Sequence, residues 1–232
     1  MKKYIVSISF SLLLILSLVG CDAIKNTNNT QRGTTIGAAG GAIIGGILGN
    51  NVGSGNNTAL GAVIGGVVGG ASGAYIGNRM DEQAKRIEEE IPSAEVVRVG
   101  EGIAVTFDEN SGVYFDTNQD ALNRDSKKSL DKLIKILQEY PKTDIVIEGH
   151  TDSVGNANYN LDLSRRRASS VVDYLIKNNI SSKRLTMKYF GEEQPKYDNA
   201  TAEGRAKNRR VELAIVANEE FKKEAEEQTL EN

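Results

Sequence analysis

The sequence predicts an α/β fold, with two long helices lying on one sheet in the order β-α-β-α-β-β and a glycine-zipper helical hairpin ahead of it. Three observations carry that expectation. Short β-branched runs alternate with one-faced apolar stripes between residues 95 and 217, the pattern of helices packed on a sheet. Eleven glycines recur every four residues between 33 and 77. Polar or charged stretches separate and flank these two regions.

The elements follow in order. Val97 and Val99 alternate with charge. Ile103, Val105 and Phe107 alternate with Ala104 and Thr106, the period of a strand. Val113-Tyr114-Phe115 reads as a second short strand. Residues 125–139 form a helix whose Leu130, Leu133, Ile134 and Leu137 make one stripe, and Tyr140-Pro141 stops it. Ile145 to Ile147 is the central strand. A second long helix spans 164–178, with Ala168, Val171, Val172, Leu175 and Ile176 on one face. Strands at 185–190 and 211–216 complete the sheet, and 218–232 reads as a frayed helix or a charged tail.

The glycines at 33, 37, 41, 45, 49 and 53, and again at 61, 65, 69, 73 and 77, stand in register on two arms joined by the polar stretch 50–57. Glycine costs an exposed helix about 1 kcal/mol relative to alanine. A glycine face kept in register therefore points to close helix–helix contact, with a glycine linker as the alternative. No charge lies between Thr34 and Ile76, so the hairpin 33–78 can lie in or on a membrane. Its arms, roughly 25 Å long at 1.5 Å per residue, fall slightly short of a bilayer core of about 30 Å. The same face offers a surface for oligomerisation. A dinucleotide-binding loop does not fit, because no strand precedes these glycines. Residues 79–94 carry Met80, Ala84, Ile87 and Ile91 at helical spacing and read as a connecting helix ended near Pro92.

The chain has 232 residues, a net charge of −3 and a pI near 5.4, which gives no basic footprint for nucleic acid. A single cysteine excludes an internal disulfide. Lys2 and Lys3 precede an apolar run from Ile5 to Val19, too short for a membrane span and suited to a signal peptide over residues 1–20. A polar tether, 21–32, follows.

Between the central strand and the second long helix lies a polar loop. Asp152 stands at the strand end and Arg165, Arg166 and Arg167 on the helix. A carboxylate and a guanidinium facing one loop suit a zwitterionic ligand, since each grips the opposite charge. The alternative is an internal salt bridge that fixes the loop. His150, the only histidine, lies beside Asp152 and Ser153, but adjacent residues of a strand point to opposite faces. No strained nucleophile turn is present, and one histidine without a free cysteine is a poor start for a metal site. Neither catalysis nor a cofactor is expected.

Three blocks carry a family resemblance. His150-Thr151-Asp152-Ser153-Val154-Gly155, Asn160-Leu161-Asp162-Leu163-Ser164-Arg165-Arg166-Arg167-Ala168 and Gly204-Arg205-Ala206-Lys207-Asn208-Arg209-Arg210-Val211-Glu212 follow the signature of OmpA-like peptidoglycan-binding domains. The resemblance covers about 100–217 and implies two helices on one mixed sheet. It also implies that Asp152 takes the ammonium, and Arg167 the carboxylate, of diaminopimelate in the wall's stem peptide. Thr151, Asn160, Leu163 and Asp116 match positions lining the same pocket. Asn160 suits a turn or cap equally well. Arg209 matches the third block, where it can touch ligand or buttress the loop. Leu18-Val19-Gly20-Cys21 resembles the lipobox of bacterial lipoproteins, which implies cleavage before Cys21 and lipid on that residue. Asp22 resembles an inner-membrane retention signal in enterobacteria, against the outer membrane that such lipoproteins otherwise suggest. The implied function is a lipid-anchored, non-covalent link between membrane and peptidoglycan. The alternative is a membrane-active or outer-membrane assembly role carried by the glycine hairpin.

Overall fold

The computed structural model describes residues 70–108, 113, 115 and 119–230. The expected signal peptide, Cys21, the tether, most of the glycine hairpin and Asp116 lie outside the described residues.

Helix α1, Gly70–Glu90, is 21 residues long and runs straight through the boundary expected at 78. Its Ile76, Met80, Ala84 and Ile87, with Ile91 just beyond, are buried in the main hydrophobic core. Spacings of three and four place them on one face, so the helix is part of the domain's packing rather than a link to it. It ends before Pro92, whose ring disfavours helical geometry in the residue ahead. No helix among the described residues is long and apolar enough to cross a membrane.

Five strands follow: β1, Glu95–Val99; β2, Gly102–Phe107; β3, Thr143–His150; β4, Leu185–Gly191; and β5, Val211–Ala217. They form one sheet in the order β1-β2-β5-β3-β4. Only β3 and β4 run parallel, so the sheet is mixed. The parallel pair needs a crossover, and α3, Ala157–Lys177, supplies it. The other long helix is α2, Arg124–Glu139. Ile145 and Ile147 of β3 join the core with Leu130 of α2 and Ala168 of α3, while Val146 belongs to a small cluster with Ala214. Alternation along β3 thus sends Val146, Glu148 and His150 to the face away from these helices.

Several expectations are corrected. Val113 and Phe115 are buried but lie outside any strand, since a short apolar run marks burial without fixing backbone type. Helix α3 starts at Ala157 rather than Ser164, because the side chain of Asn156 accepts from Asn158 N at 2.9 Å and caps a polar first turn that hydrophobic periodicity cannot register. A short helix α4, Ala202–Asn208, capped by Thr201, stands between β4 and β5. The charged C-terminal stretch forms α5, Glu219–Leu230, with Phe221 and Ala225 buried. Tyr75 of α1 meets Phe221 edge-on, with ring centroids 6.2 Å apart.

Candidate functional site

The site is assembled where β3, β4 and α3 converge. Gly149 makes the approach possible: a Cβ there would lie 2.3 Å from the Ser164 carbonyl oxygen and 3.3 Å from the Ala168 Cβ. Gly191 closes β4 at a φ of +55°, where side chains are strained. Its carbonyl accepts from Thr151 N at 2.8 Å, and its N–H donates to Ser164 Oγ at 2.9 Å. The strand tip and the start of α3 are therefore fixed to each other.

Asp152 is 8% exposed. One carboxylate oxygen accepts from Val154 N at 3.0 Å, folding the loop as an Asx turn. The other meets Arg209 Nη1 at 2.8 Å. The ion pair of Asp152 is thus with Arg209, from the third block, and its direct pairing with Arg167 is not what the structure holds. Arg167 is 2% exposed. Its Nε donates to Gln119 O at 3.0 Å, and its guanidinium carbon stands 5.1 Å from the centre of the Phe115 ring. Burial, reinforced by the nearby Arg209 charge and opposed by Asp152, brings the Arg167 pKa down to about 10. It remains a cation at neutral pH. One carboxylate and two guanidinium groups thus share a single electrostatic neighbourhood.

Asn160 lies one helical turn before Leu163 and two before Arg167 on the buried face of α3. Its amide nitrogen donates to Asp152 O and Val154 O, both at 3.2 Å, and to Glu192 Oε2 at 2.5 Å. That amide clamps the loop. Leu163 is buried beneath it, and the buried Thr151 hydroxyl has no hydrogen-bond partner among the described residues. Asn208 holds the loop after β4, accepting from Lys196 N and Tyr197 N and donating to Tyr197 O and Asn199 Oδ1. Arg165 pairs with Asp162 on the surface, and Arg166 with Asp162 and Asp120. Asn160→Leu should cost about 2 kcal/mol by leaving two loop carbonyls unpaired. A urea titration showing no loss of stability would contradict the clamp.

Glu192 was not legible as a site neighbour, because nothing in Gly191-Glu192-Glu193 distinguishes one acid from the next. A second group comes together only through the register of β3 against β5, which residue spacing does not report. Glu148 and Glu212 face each other across β3 and β5, and with His150 their ligand atoms all lie within 4.8 Å of one another. Three such groups can hold a metal; Arg210 serves Glu212, whereas Glu148 Oε1 and both ring nitrogens of His150 are buried without a hydrogen-bond partner among the described residues. Arg210 Nε meets Glu212 at 2.5 Å, and Lys188 approaches Glu148 at 3.7 Å. His150 stacks on Phe190, with ring centroids 5.4 Å apart. Its sequence neighbour Ser153 is exposed while the imidazole is buried.

Burial, with Glu212 opposite, raises the Glu148 pKa to about 7 against an ordinary 4.5. Burial, with Arg210 and Lys196, lowers that of His150 to about 3 from 6.5. Burial pushes Glu212 up, but Arg210 and His150 more than offset this and hold it below the usual range. The two large shifts act oppositely on stability. The raised acid favours the folded state at low pH, and that contribution is lost as pH rises from 4.5 through 7. The lowered imidazole favours it at high pH, and that contribution is lost as pH falls from 6.5 through 3. Between 4.5 and 6.5 they offset each other. Glu148→Gln should therefore unmask a stability that climbs with pH in this window, by up to about 1.4 kcal/mol per pH unit. Parallel curves for variant and parent in urea unfolding would refute this assignment.

Residues 114–209 match the family model described as the OmpA family, and residues 1–81 match the YMGG-like Gly-zipper. The probable lipoprotein YiaD of Escherichia coli is 34% identical over 142 residues, 60% of this chain and 64% of that protein. Outer membrane porin F of Pseudomonas aeruginosa is 41% identical over 120 residues, 51% of this chain and 33% of that protein. The chain thus spans less than two thirds of either relative. Among solved structures, the cell wall anchor of the T6SS from Pseudomonas aeruginosa superposes with a TM-score of 0.51 at 25% identity, covering 60% of this chain and 98% of that one.

Proposed function

We propose, from the OmpA-family domain that residues 114–209 carry, that this chain binds peptidoglycan non-covalently in the bacterial cell envelope by recognising diaminopimelate. One observation carries the reading: Asp152 and Arg167 share a junction and a field, yet each is oriented by other groups rather than collapsed onto the other. A ligand ammonium can then add to the Asp152 carboxylate and a ligand carboxylate to the Arg167 guanidinium. Thr151, Asn160 and Leu163 shape the loop around them, and the family resemblance assigns Asp116, outside the described residues, to the same pocket. The relatives' names, a lipoprotein of Escherichia coli and a cell wall anchor of Pseudomonas aeruginosa, support the same direction. In this reading lipid on Cys21 holds the chain to the periplasmic side of a membrane, most simply the outer one. Two or three acyl chains hold durably where one does not. No catalytic step is invoked.

Chemical-shift titration of the chain with a stem peptide containing diaminopimelate tests the site directly. Shifts should concentrate at residues 150–167 and 208–210. Saturable binding that leaves these amides unmoved would refute the location. Arg209→Gln releases Asp152 from its partner while leaving Arg167 in place. A loss of about ten- to a hundredfold is expected if Arg209 only aims the carboxylate, since one hydrogen bond to a charged group contributes about 1.5–3 kcal/mol.

The match of residues 1–81 to the YMGG-like Gly-zipper supports a second reading, in which the glycine segment acts in a membrane or in outer-membrane assembly and the wall domain is its address. Because Ile76 belongs to the domain core, a clean deletion must stop at 69. Removing 33–69 should leave sedimentation with sacculi intact. An unchanged cellular phenotype would count against the second reading.

A further inference from the structure

We infer that α1 and α5 form a fixed stalk that presents the candidate site at the pole of the domain opposite the one where the glycine-rich segment joins it. Ile76, Met80, Ala84, Ile87 and Ile91 of the α1 side are buried in the same core as the sheet and α2, so undocking α1 would open that core. Polar ties run along its whole length. Ser72 Oγ lies 3.4 Å from Thr229 Oγ1, and Tyr75 Oη donates to Glu224 at 2.9 Å. Asp81 pairs with Arg98 at 2.7 Å and Arg86 with Glu139 at 3.2 Å, while Lys132 Nζ donates to the Glu90 carbonyl at 2.7 Å. Helix α5 doubles the N-terminal half of α1 through Phe221, Ala225 and Glu224.

These ties also give direction. Arg79 stands 5.4 Å from the centre of the Tyr140 ring, just before β3 begins, and Glu224 meets Lys142 there at 2.7 Å. Asp152 lies past the other end of β3, a strand of eight residues. That strand spans roughly 25 Å at about 3.3 Å per residue. The α1 stretch from Ala71 to Arg79 adds about 12 Å at 1.5 Å per residue. The site thus faces away from the entry of residue 70, at up to roughly 35 Å if strand and helix stretch are collinear. Resting on the wall-binding reading, this makes α1 a rigid coupling, so that load on a wall-bound site passes through the α1–α5 pair into the glycine-rich segment at a set height.

Spin labels test the stalk in the full chain bearing Cys21→Ser. Ala71→Cys and Glu193→Cys, both at exposed positions, should give one narrow distance distribution at up to roughly 35 Å by dipolar spectroscopy. A broad distribution would overturn the proposal. Met80→Glu places a charge in the docked face and should broaden that distribution. A second pair, Lys183→Cys with Glu193→Cys, spans β4 inside the domain and should stay narrow. A 71–193 distance unchanged by Met80→Glu while the 183–193 pair is intact would also overturn it. Sedimentation of the same labelled chains with sacculi reads the site separately. A narrow distance in chains that fail to pellet supports the stalk and refutes the wall reading alone.

Discussion

Asp152→Asn should weaken co-sedimentation with peptidoglycan sacculi by about a hundredfold, equivalent to roughly 2.7 kcal/mol. The substitution keeps the shape and the Asx turn, since the amide oxygen can still accept from Val154 N. It removes the negative charge to which a ligand ammonium would bind. Arg209, half-buried, then loses its 2.8 Å ion pair, so some stability is lost as well. Binding must therefore be measured well below the unfolding midpoint. Arg167→Lys is the companion change. Arg167 is 2% exposed, so alanine would open a cavity, whereas lysine keeps the stem and the charge but not the planar fork. Bidentate carboxylate recognition should fail, with affinity falling at least about tenfold, alongside some loss of stability because lysine cannot replace the Nε bond to Gln119 O or the stacking on Phe115. If both variants pellet like the parent, these two side chains do not form the ligand pocket, and the charge pair serves only to hold the loop.

Gly149→Ala should be severely destabilising although it adds only one methyl group. Its Cβ would meet the Ser164 carbonyl oxygen at 2.3 Å, and that oxygen belongs to helix backbone rather than to a side chain that can swing away. Helix α3 would have to lift from β3. Overpacking of a core typically costs 1–3 kcal/mol, and the backbone collision places this case at about 3 kcal/mol or beyond. Denaturant titration should show a lower midpoint at an unchanged slope, the sign of lost stability without a change in the unfolded chain. The cost should reach the site as well, because Asn160 and Arg167 ride on the same helix. An unaltered midpoint would mean that strand and helix do not approach as closely as described.

Which parts of this protein could be read directly from its residues follows from what hydrophobic periodicity reports. The stripe of Leu130, Leu133, Ile134 and Leu137, and the β-branched runs at 103–107, 145–147 and 211–216, identify buried faces. Those faces are the ones the structure packs together. Where a segment begins with polar residues, the same signal is blind. The first turn of α3 is Ala157, Asn158, Tyr159 and Asn160, so the helix start rests on the Asn156 cap instead. The charged surface of α5 conceals two buried residues, Phe221 and Ala225, which are enough to dock it against α1.

The family resemblance singled out Asp152 and Arg167 as candidates. The sequence by itself determined the α/β class, the two long helices, and the polar junction after the central strand with its acid and its run of three arginines. These are local facts, set by the spacing of residues along one strand or one helix. Only the tertiary structure decided that Asp152 pairs with Arg209, that Glu148 stands opposite Glu212, and that α1 belongs to the domain core. Each depends on which segments meet in space. Strand register and helix docking, not distance along the chain, choose the partner of a charge.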